Sequence, residues 1–235
     1  MEKLRVAEGV AEQLRYLILT GSYRVGDKLP PERQLAKDLG VNRSSLREGL
    51  KKLEHMGLVK IRQGDGTRVL DFMQTGGFDL VSHLIPLAQA GHVGLLGDVL
   101  EFRRIYGREV AQLAAQRRTT EDLERMGQLA EAAERTDDPA ELLRLDFDFY
   151  VALTHASQNR VLLLLINTTR TAVLKQAAFF AGFFHAGEVV RRHHKDMLAA
   201  LSAADAMRAY RVADEYLARG AELASVPRAI EAGRG

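Results

Sequence analysis

The stretch from Lys28 to Leu70 reads KLPPERQLAKDLGVNRSSLREGLKKLEHMGLVKIRQGDGTRVL and indicates the fold of the first third of the chain. Its Pro30-Pro31-Glu32 start favours a helix, because proline suits the first helical position and glutamate suits the positive end of the helix dipole. Gly40 ends that helix, and Asn42 is a good N-cap for a second helix. The second helix carries an apolar stripe formed by Leu46, Leu50 and Leu53.

A short hairpin follows the second helix. After Gly57, residues 58–61 alternate like a strand, residues 63–66 form a glycine-rich turn, and residues 67–70 return as a second strand. A two-stranded wing after a helix-turn-helix makes a winged helix. We therefore predict a mainly α fold that begins with a winged helix-turn-helix and its small β-hairpin wing.

The first turns of the second helix carry arginines and hydroxyls. In a helix-turn-helix, these turns meet base edges. Arg43 and Arg47 can each bond a guanine bidentately, which is worth about 1–3 kcal/mol of discrimination. Ser44 and Ser45 suit phosphates at a helix start. A basic solvated helix in an ordinary small domain is the alternative, but the ordered run of helix, turn, basic helix and hairpin favours sequence-specific DNA binding.

The charges are divided unevenly along the chain. Residues 1–70 hold 14 lysines and arginines against 9 acidic residues, a net charge of +5, whereas the remainder holds 19 against 22, a net charge of −3. A phosphate-binding surface needs a basic head of this kind, and a small-molecule domain does not. The overall charge of +2 therefore conceals a basic N-terminal segment, which suits DNA binding, and an acidic remainder.

The composition excludes several other classes of protein. With 235 residues, 46% of them hydrophobic and 27% charged, the chain is globular and has one or two domains. It has no cysteine, so a disulfide framework and a thiol site are excluded. The first residues show no signal peptide, and the longest apolar run, Val161–Ile166, is too short to span a bilayer. We expect a cytoplasmic protein without a membrane partner.

Beyond the wing, the sequence reads almost entirely as helix. The predicted helices span 78–90, 93–117, 120–135, 139–156, 159–183, 187–203 and 205–224. They make an antiparallel bundle of six or seven helices. The predicted segments are a winged-helix domain at 1–72, a linker at 73–77, a helical effector-binding and regulatory domain at 78–229, and a frayed tail at 230–235.

The stretch LPPERQLAKDLGVNRSSLREGLKKLEHMGLV, followed by an all-helical domain of this length, resembles the GntR family of regulators and its FadR subfamily. The match is dense in the winged helix and looser over the rest of the chain. The resemblance implies a homodimeric transcription factor that binds a short palindromic operator in double-stranded DNA and responds to a small molecule in its helical domain. The residues that match DNA-contacting positions of the family are Arg33, Arg43, Ser44, Ser45, Arg47, Gln63 and Gly64.

Most members of this subfamily bind a divalent metal through one Asp and three His. Here Asp146 and His194 match that set, while the two other positions are Tyr150 and Tyr216. Neutral tyrosine is a poor ligand, and Asp with a single His rarely holds a metal. Substitute ligands could come from Asp148, His155, His185 and His193, but nothing in their spacing requires it. We therefore expect neither a metal nor another cofactor.

The same departures favour an acyl effector, because the acyl-CoA-responsive regulator of the subfamily also lacks the metal set. Arg103 matches a family position that points into the ligand cavity and suits a phosphate or a carboxylate. An apolar channel, or alternatively an ordinary core, could be formed by Phe147, Phe149, Phe179, Phe180, Phe183 and Phe184. The expected effector-binding residues are Arg103, Asp146, Tyr150, His194 and Tyr216.

The resemblance thus implies a repressor of fatty-acid metabolism genes that a long-chain acyl-CoA or related acyl ligand releases from its operator. The alternative effector is a small carboxylate or sugar acid, with or without a metal.

Two other functions are weaker alternatives. Asp146 or Asp148 with His194 could be drawn as the acid–base pair of an enzyme, but no nucleophile elbow, phosphate loop or metal signature accompanies them. A nucleoid-type binder without an effector is usually smaller and basic throughout, which the acidic helical body contradicts. We therefore expect a regulator and not an enzyme.

Overall fold

The structure is a computed structural model that describes residues 2–89, 93–175 and 187–225. Contacts divide the chain into two compact units, Met1–Leu84 and Ile85–Gly235. The first unit contains helices α1 (Glu2–Leu19), α2 (Glu32–Asp38), α3 (Arg43–His55) and α4 (Phe72–Thr75), strands β1 (Val59–Arg62) and β2 (Gly66–Val69), and a 3-10 turn at Phe78–Leu80.

The second helix of the predicted helix-turn-helix, α3, begins at its expected N-cap. The Asn42 side chain accepts a hydrogen bond from the Ser45 backbone N–H at 2.8 Å, as an N-cap does. Gly40 precedes α3 in the left-handed region, with φ of +64°. The predicted stripe is completely buried, with Leu46 and Leu53 at 0% exposure and Leu50 at 1%. Burial of such a leucine stabilises the domain by roughly 1.5–3 kcal/mol.

The wing is the predicted antiparallel hairpin. Val59 pairs with Val69, and Ile61 pairs with Thr67. Thr67 and Val69 are buried, whereas Arg68 between them is exposed, so one face of the hairpin packs on the core. The prediction of a mainly α fold with a winged helix-turn-helix is confirmed.

The segment predicted as a linker, residues 73–77, lies within the first unit and includes part of the helical turn α4. The Asp71 carboxylate caps α4 by accepting a hydrogen bond from the Met73 N–H at 3.2 Å. The Thr75 hydroxyl donates to the Gly57 carbonyl at 2.7 Å. Gly57 has φ of +73°, and a Cβ there would collide with the Thr75 carbonyl oxygen. The division between the two units, at Leu84, lies beyond this segment.

The described part of the helical domain consists of seven helices, most of them long. They are α5 (Val81–Gln89), which crosses the division between the units, α6 (Val93–Arg117), α7 (Thr120–Glu134), α8 (Pro139–Ala156), α9 (Arg160–Lys175), α10 (Gly187–Ser202) and α11 (Ala206–Ser225). Thr119 and Asp122 form a capping box at the start of α7, and Asp138 with Pro139 starts α8.

The core of the second unit lies where α6, α8, α10 and α11 meet. Alanines with no exposed surface, including Ala111 and Ala213, let α6 and α11 approach closely. Phe149, Leu153 and Met197 are equally buried. The predicted channel residues Phe179, Phe180, Phe183 and Phe184, and the predicted tail at 230–235, lie outside the described residues. None of the described helices has the length and apolarity that a bilayer crossing requires.

Candidate DNA interface and effector site

Most of the predicted DNA-contacting residues lie on the surface of the first unit. Arg43 and Ser44 are exposed on the first turn of α3, and Arg33 is exposed on α2. Gln63 and Gly64 are exposed in the turn of the wing, where Gly64 takes a left-handed φ of +81°. The surface therefore presents cations and hydrogen-bonding groups from α2, α3 and the wing turn.

Arg47 also lies on this surface, but in an ion pair. Its Nε donates to Glu32 Oε2 at 2.7 Å, and the two side chains are 66% and 33% exposed. Glu32 begins α2, so the pair joins the starts of the two helices of the helix-turn-helix. The exposed pair contributes little to stability, and it orients the Arg47 guanidinium.

Ser45 differs from the other six residues because it is 0% exposed. It lies one turn before Gly49, where a Cβ would come within 2.7 Å of Val10 Cγ1, so this face of α3 packs against α1. Its hydroxyl has no hydrogen-bond partner among the described residues. The structure therefore places the Ser45 hydroxyl in the core, and only Ser44 of the two predicted serines faces solvent.

The predicted effector residues converge in the core of the second unit. The Asp146 side chain is 2% exposed on α8, and it accepts a hydrogen bond from Arg103 Nη2 of α6 at 3.1 Å. His194 Nε2 of α10 lies 3.2 Å from the other carboxylate oxygen, and its side chain is 0% exposed. Three helices thus meet at one buried carboxylate.

The two tyrosines that replace predicted metal ligands lie in an aromatic stack beside this carboxylate. The Tyr150 hydroxyl is 3.1 Å from His193 Nε2, and the His193 ring stacks on Tyr216 at 3.8 Å between centroids. The Arg103 guanidinium carbon lies 5.9 Å from the centroids of both tyrosine rings, within cation–π range. His193, which the sequence suggested only as a substitute ligand, is therefore a central member of the cluster.

Gly107 lets these helices meet. A Cβ at this position would collide with Leu217 Cδ1 and lie 3.1 Å from Tyr150 Cε1. The absence of a side chain on α6 is therefore a condition for the packing of Tyr150 and Leu217 against it. No sequence signal singled out this glycine, because its requirement comes from neighbours on two other helices.

The charges of the cluster follow from its burial. Burial would raise the pKa of Asp146, but the hydrogen bond with His194 and the positive charge of Arg103 outweigh it and hold that pKa below its ordinary value. Burial, reinforced by the negative charge of Asp146, raises the pKa of Tyr150 and of Tyr216 well above the usual value for a phenol. The carboxylate is therefore ionised and both phenols are neutral at neutral pH.

This donor set does not fit a resident divalent metal. Of the four positions that match the family's metal ligands, only Asp146 and His194 carry strong ligands, because the phenols of the other two stay protonated. The Arg103 cation also already donates to the Asp146 carboxylate. Across residues 2–89, 93–175 and 187–225, no group of three or more His, Asp or Glu side chains is placed to hold a metal ion. The cluster instead offers a guanidinium, two neutral phenols and the buried imidazole of His194, whose Nδ1 has no hydrogen-bond partner among the described residues.

Both units match known protein families. Residues 6–69 match the family described as bacterial regulatory proteins, gntR family, and residues 98–219 match the FCD domain. An uncharacterised HTH-type transcriptional regulator of Mycobacterium tuberculosis, Rv0494, is 32% identical over 92% of this chain and 88% of its own length. The HTH-type transcriptional regulator LutR of Bacillus subtilis is 34% identical over 68% of this chain and 71% of its own length.

A third relative and one solved structure extend this similarity. A putative L-lactate dehydrogenase operon regulatory protein of Escherichia coli is 36% identical over 68% of this chain and 61% of its own length. The solved structure of Streptococcus agalactiae GntR is 26% identical, has a TM-score of 0.51, and covers 92% of this chain and 99% of its own.

Proposed function

Because the chain belongs to the gntR family of bacterial regulatory proteins and carries an FCD effector-binding domain, we propose that it is a transcriptional regulator whose operator affinity is set by an anionic effector bound beside Arg103. It binds a short palindromic operator as a homodimer. The exposed arginines of α2 and α3 support this reading, since arginines at the start of a recognition helix can read guanine.

The observation that carries the effector proposal is the Arg103–Asp146 pair beneath two neutral phenols. A guanidinium can bind a carboxylate through two parallel hydrogen bonds. An organic acid therefore replaces Asp146 as the partner of Arg103, or binds Arg103 together with Asp146. The neutral Tyr150 hydroxyl, which lies 3.1 Å from His193 Nε2, adds a hydrogen-bonding group to the cluster for a small polar ligand. Arg103 remains 27% exposed, so the cation is reachable from solvent.

A small carboxylate or sugar acid fits this cluster better than an acyl chain. Phe149, one of the aromatic residues suggested for an apolar channel, is completely buried and stacks on the His194 ring at 4.1 Å. It therefore belongs to the core that supports the polar cluster. A relative whose name refers to an L-lactate dehydrogenase operon supports the same choice.

A long-chain acyl-CoA is the second candidate effector, with fatty-acid metabolism genes as the targets. The observation that favours it is that the cluster does not fit a metal. By the family resemblance, the acyl-CoA-responsive regulator also lacks the metal ligands. Its phosphates would need the cation of Arg103, and its chain would need apolar surface beyond Phe147.

The response is a population shift between two packings of the bundle. A ligand that binds one packing more tightly moves the equilibrium only by the difference in its two affinities. The side chains that change partners on binding belong to α6, α8 and α10, which meet at Asp146. A dimer contacts two half-sites at a fixed spacing. After a small change in the separation of its recognition helices, one helix therefore no longer fits its half-site.

The experiment begins with selection of an operator from random duplex DNA. Fluorescence anisotropy then measures operator affinity with short hydroxy acids, sugar acids and long-chain acyl-CoAs, each with and without a chelator. Loss of affinity with one small acid, unchanged by the chelator, supports the proposal. A response to acyl-CoAs alone selects the second candidate, and a response that the chelator abolishes contradicts both.

A further inference from the structure

The outward face of the wing carries a row of cations. Lys60 on β1 pairs with Arg68 on β2, and Lys28 forms a β-bridge to Arg68 from the other side. The three side chains therefore lie side by side across three extended segments. The exposed fractions of the side chains are 50% for Lys28, 57% for Lys60 and 46% for Arg68.

Such a row is unfavourable by itself. Like charges directly opposite each other on a sheet destabilise it, and this sheet has only two full strands. The arrangement therefore needs either counter-charges within the protein or an anionic partner outside it.

Asp65 supplies the internal counter-charge. Lys28 Nζ lies 3.1 Å from one of its carboxylate oxygens, and Arg68 Nε lies 3.1 Å from the other. The hydrogen bonds from Arg68 and then from Lys28 lower the pKa of Asp65, so the carboxylate is ionised at neutral pH. Lys60 has a separate and longer contact, 3.5 Å from Glu54 Oε1.

The turn of the wing directs Asp65 toward the row. Gly64 and Gly66 on either side of it take left-handed φ angles of +81° and +94°. A Cβ on Gly66 would lie 3.1 Å from Lys28 Cε, so a side chain there would crowd the lysine. The glycines thus let one carboxylate reach two cations on neighbouring segments.

We propose that Lys28, Lys60 and Arg68 form a second contact surface for the DNA phosphate backbone, and that Asp65 sets the strength of that surface. Contacts to phosphates are independent of sequence and strengthen operator and random DNA alike. While Asp65 holds Lys28 and Arg68, fewer counterions are released on random DNA. Discrimination between operator and random DNA then depends on Arg43, Arg47 and the wing turn.

The test uses the full chain without effector, a selected operator duplex and a scrambled duplex of the same composition. Asp65→Asn removes the charge and keeps the shape. We expect affinity for the scrambled duplex to rise by about threefold to tenfold at low salt, and the slope of log affinity against log salt to steepen by about 1–2. A slope unchanged from the wild type overturns the proposal, as does weaker binding to the scrambled duplex.

Two further variants keep the result interpretable. Glu131→Gln is the matched control, because the Glu131 carboxylate on α7 also pairs with an exposed arginine, Arg135, at 3.2 Å. This substitution changes the net charge by the same amount at a site far along the chain from the wing. This control should leave the slope unchanged. The double variant Lys28→Gln/Arg68→Gln should make the slope shallower by about 1–2. If Asp65→Asn disturbs the fold, as judged by circular dichroism, a double variant with a wild-type slope still overturns the proposal.

Discussion

Arg103 donates to Asp146 across 3.1 Å, and the carboxylate that it reaches is only 2% exposed. This places a buried negative charge between a guanidinium on α6 and a buried imidazole, that of His194, on α10. The pair occupies the part of the bundle where the subfamily resemblance implies a metal. In this cluster the positive charge beside the carboxylate is therefore the Arg103 guanidinium.

Removing the charge of Asp146 should destabilise the second unit. Asp146→Asn leaves Arg103 and His194 without an ionised acceptor, and we expect the free energy of unfolding to fall by about 1–3 kcal/mol in denaturant titrations. Asp137→Asn is the matched control, because its carboxylate is 95% exposed although it also pairs with an arginine, Arg191. The control should change stability by less than about 0.5 kcal/mol. Equal effects of the two variants would contradict a buried pair.

The stability difference between the wild type and Asp146→Asn should depend on pH with a defined sign. The pKa of Asp146 is lowered in the folded protein, so its contribution is present above the ordinary aspartate pKa of about 4 and is lost as the pH falls from there toward the lowered folded pKa. Thermal unfolding of both proteins across this acidic range measures the difference. A difference that persists or grows as the pH falls would show that the carboxylate is not ionised in the folded state.

Arg43 should contribute to base recognition and not only to phosphate binding. It is exposed on the first turn of α3, and Arg43→Ala should weaken operator binding by about 1–3 kcal/mol, roughly fivefold to 150-fold. Binding to a scrambled duplex should weaken much less. Arg24→Ala, at an exposed arginine of the same unit outside the predicted interface, serves as the control for net charge. Parallel losses on both duplexes would refute base readout by Arg43.

Gly57→Ala should undock the segment that follows the wing. Alanine would be strained at φ of +73°, and its Cβ would also collide with the Thr75 carbonyl oxygen. Gly21→Ala isolates the backbone cost, because Gly21 has φ of +80° with nothing within 4 Å of an added Cβ. We expect a loss of about 1 kcal/mol for the control and at least twice that for Gly57→Ala, measured by urea unfolding. Matching losses would mean that Thr75 does not pack against Gly57.

Local signals predicted the secondary structure well because they act within a few residues. Gly40 marks the end of α2, Asn42 marks the start of α3, and the alternation after Gly57 predicts the wing. The bundle helices followed from the same kind of evidence. Asp138 with Pro139 starts α8 where the sequence predicted it.

Features that depend on partners from distant segments could not be predicted in this way. The burial of Ser45 follows from the approach of α1 to α3, whereas the sequence alone suggested that its hydroxyl contacts a phosphate. The stacking of His193 on Tyr216 joins two helices, and the pairing of Asp65 with Lys28 spans 37 positions. Each of these contacts becomes visible only when the chain is folded.

Comparison of Arg103→Ala with the wild type tests whether Arg103 anchors an anionic effector. Isothermal titration measures effector binding, and anisotropy measures operator affinity with and without the same effector. We predict that the variant folds, binds the operator with wild-type affinity in the absence of effector, and no longer binds or responds to the effector. A variant that still binds the effector and responds to it fully would show that the effector binds away from Arg103.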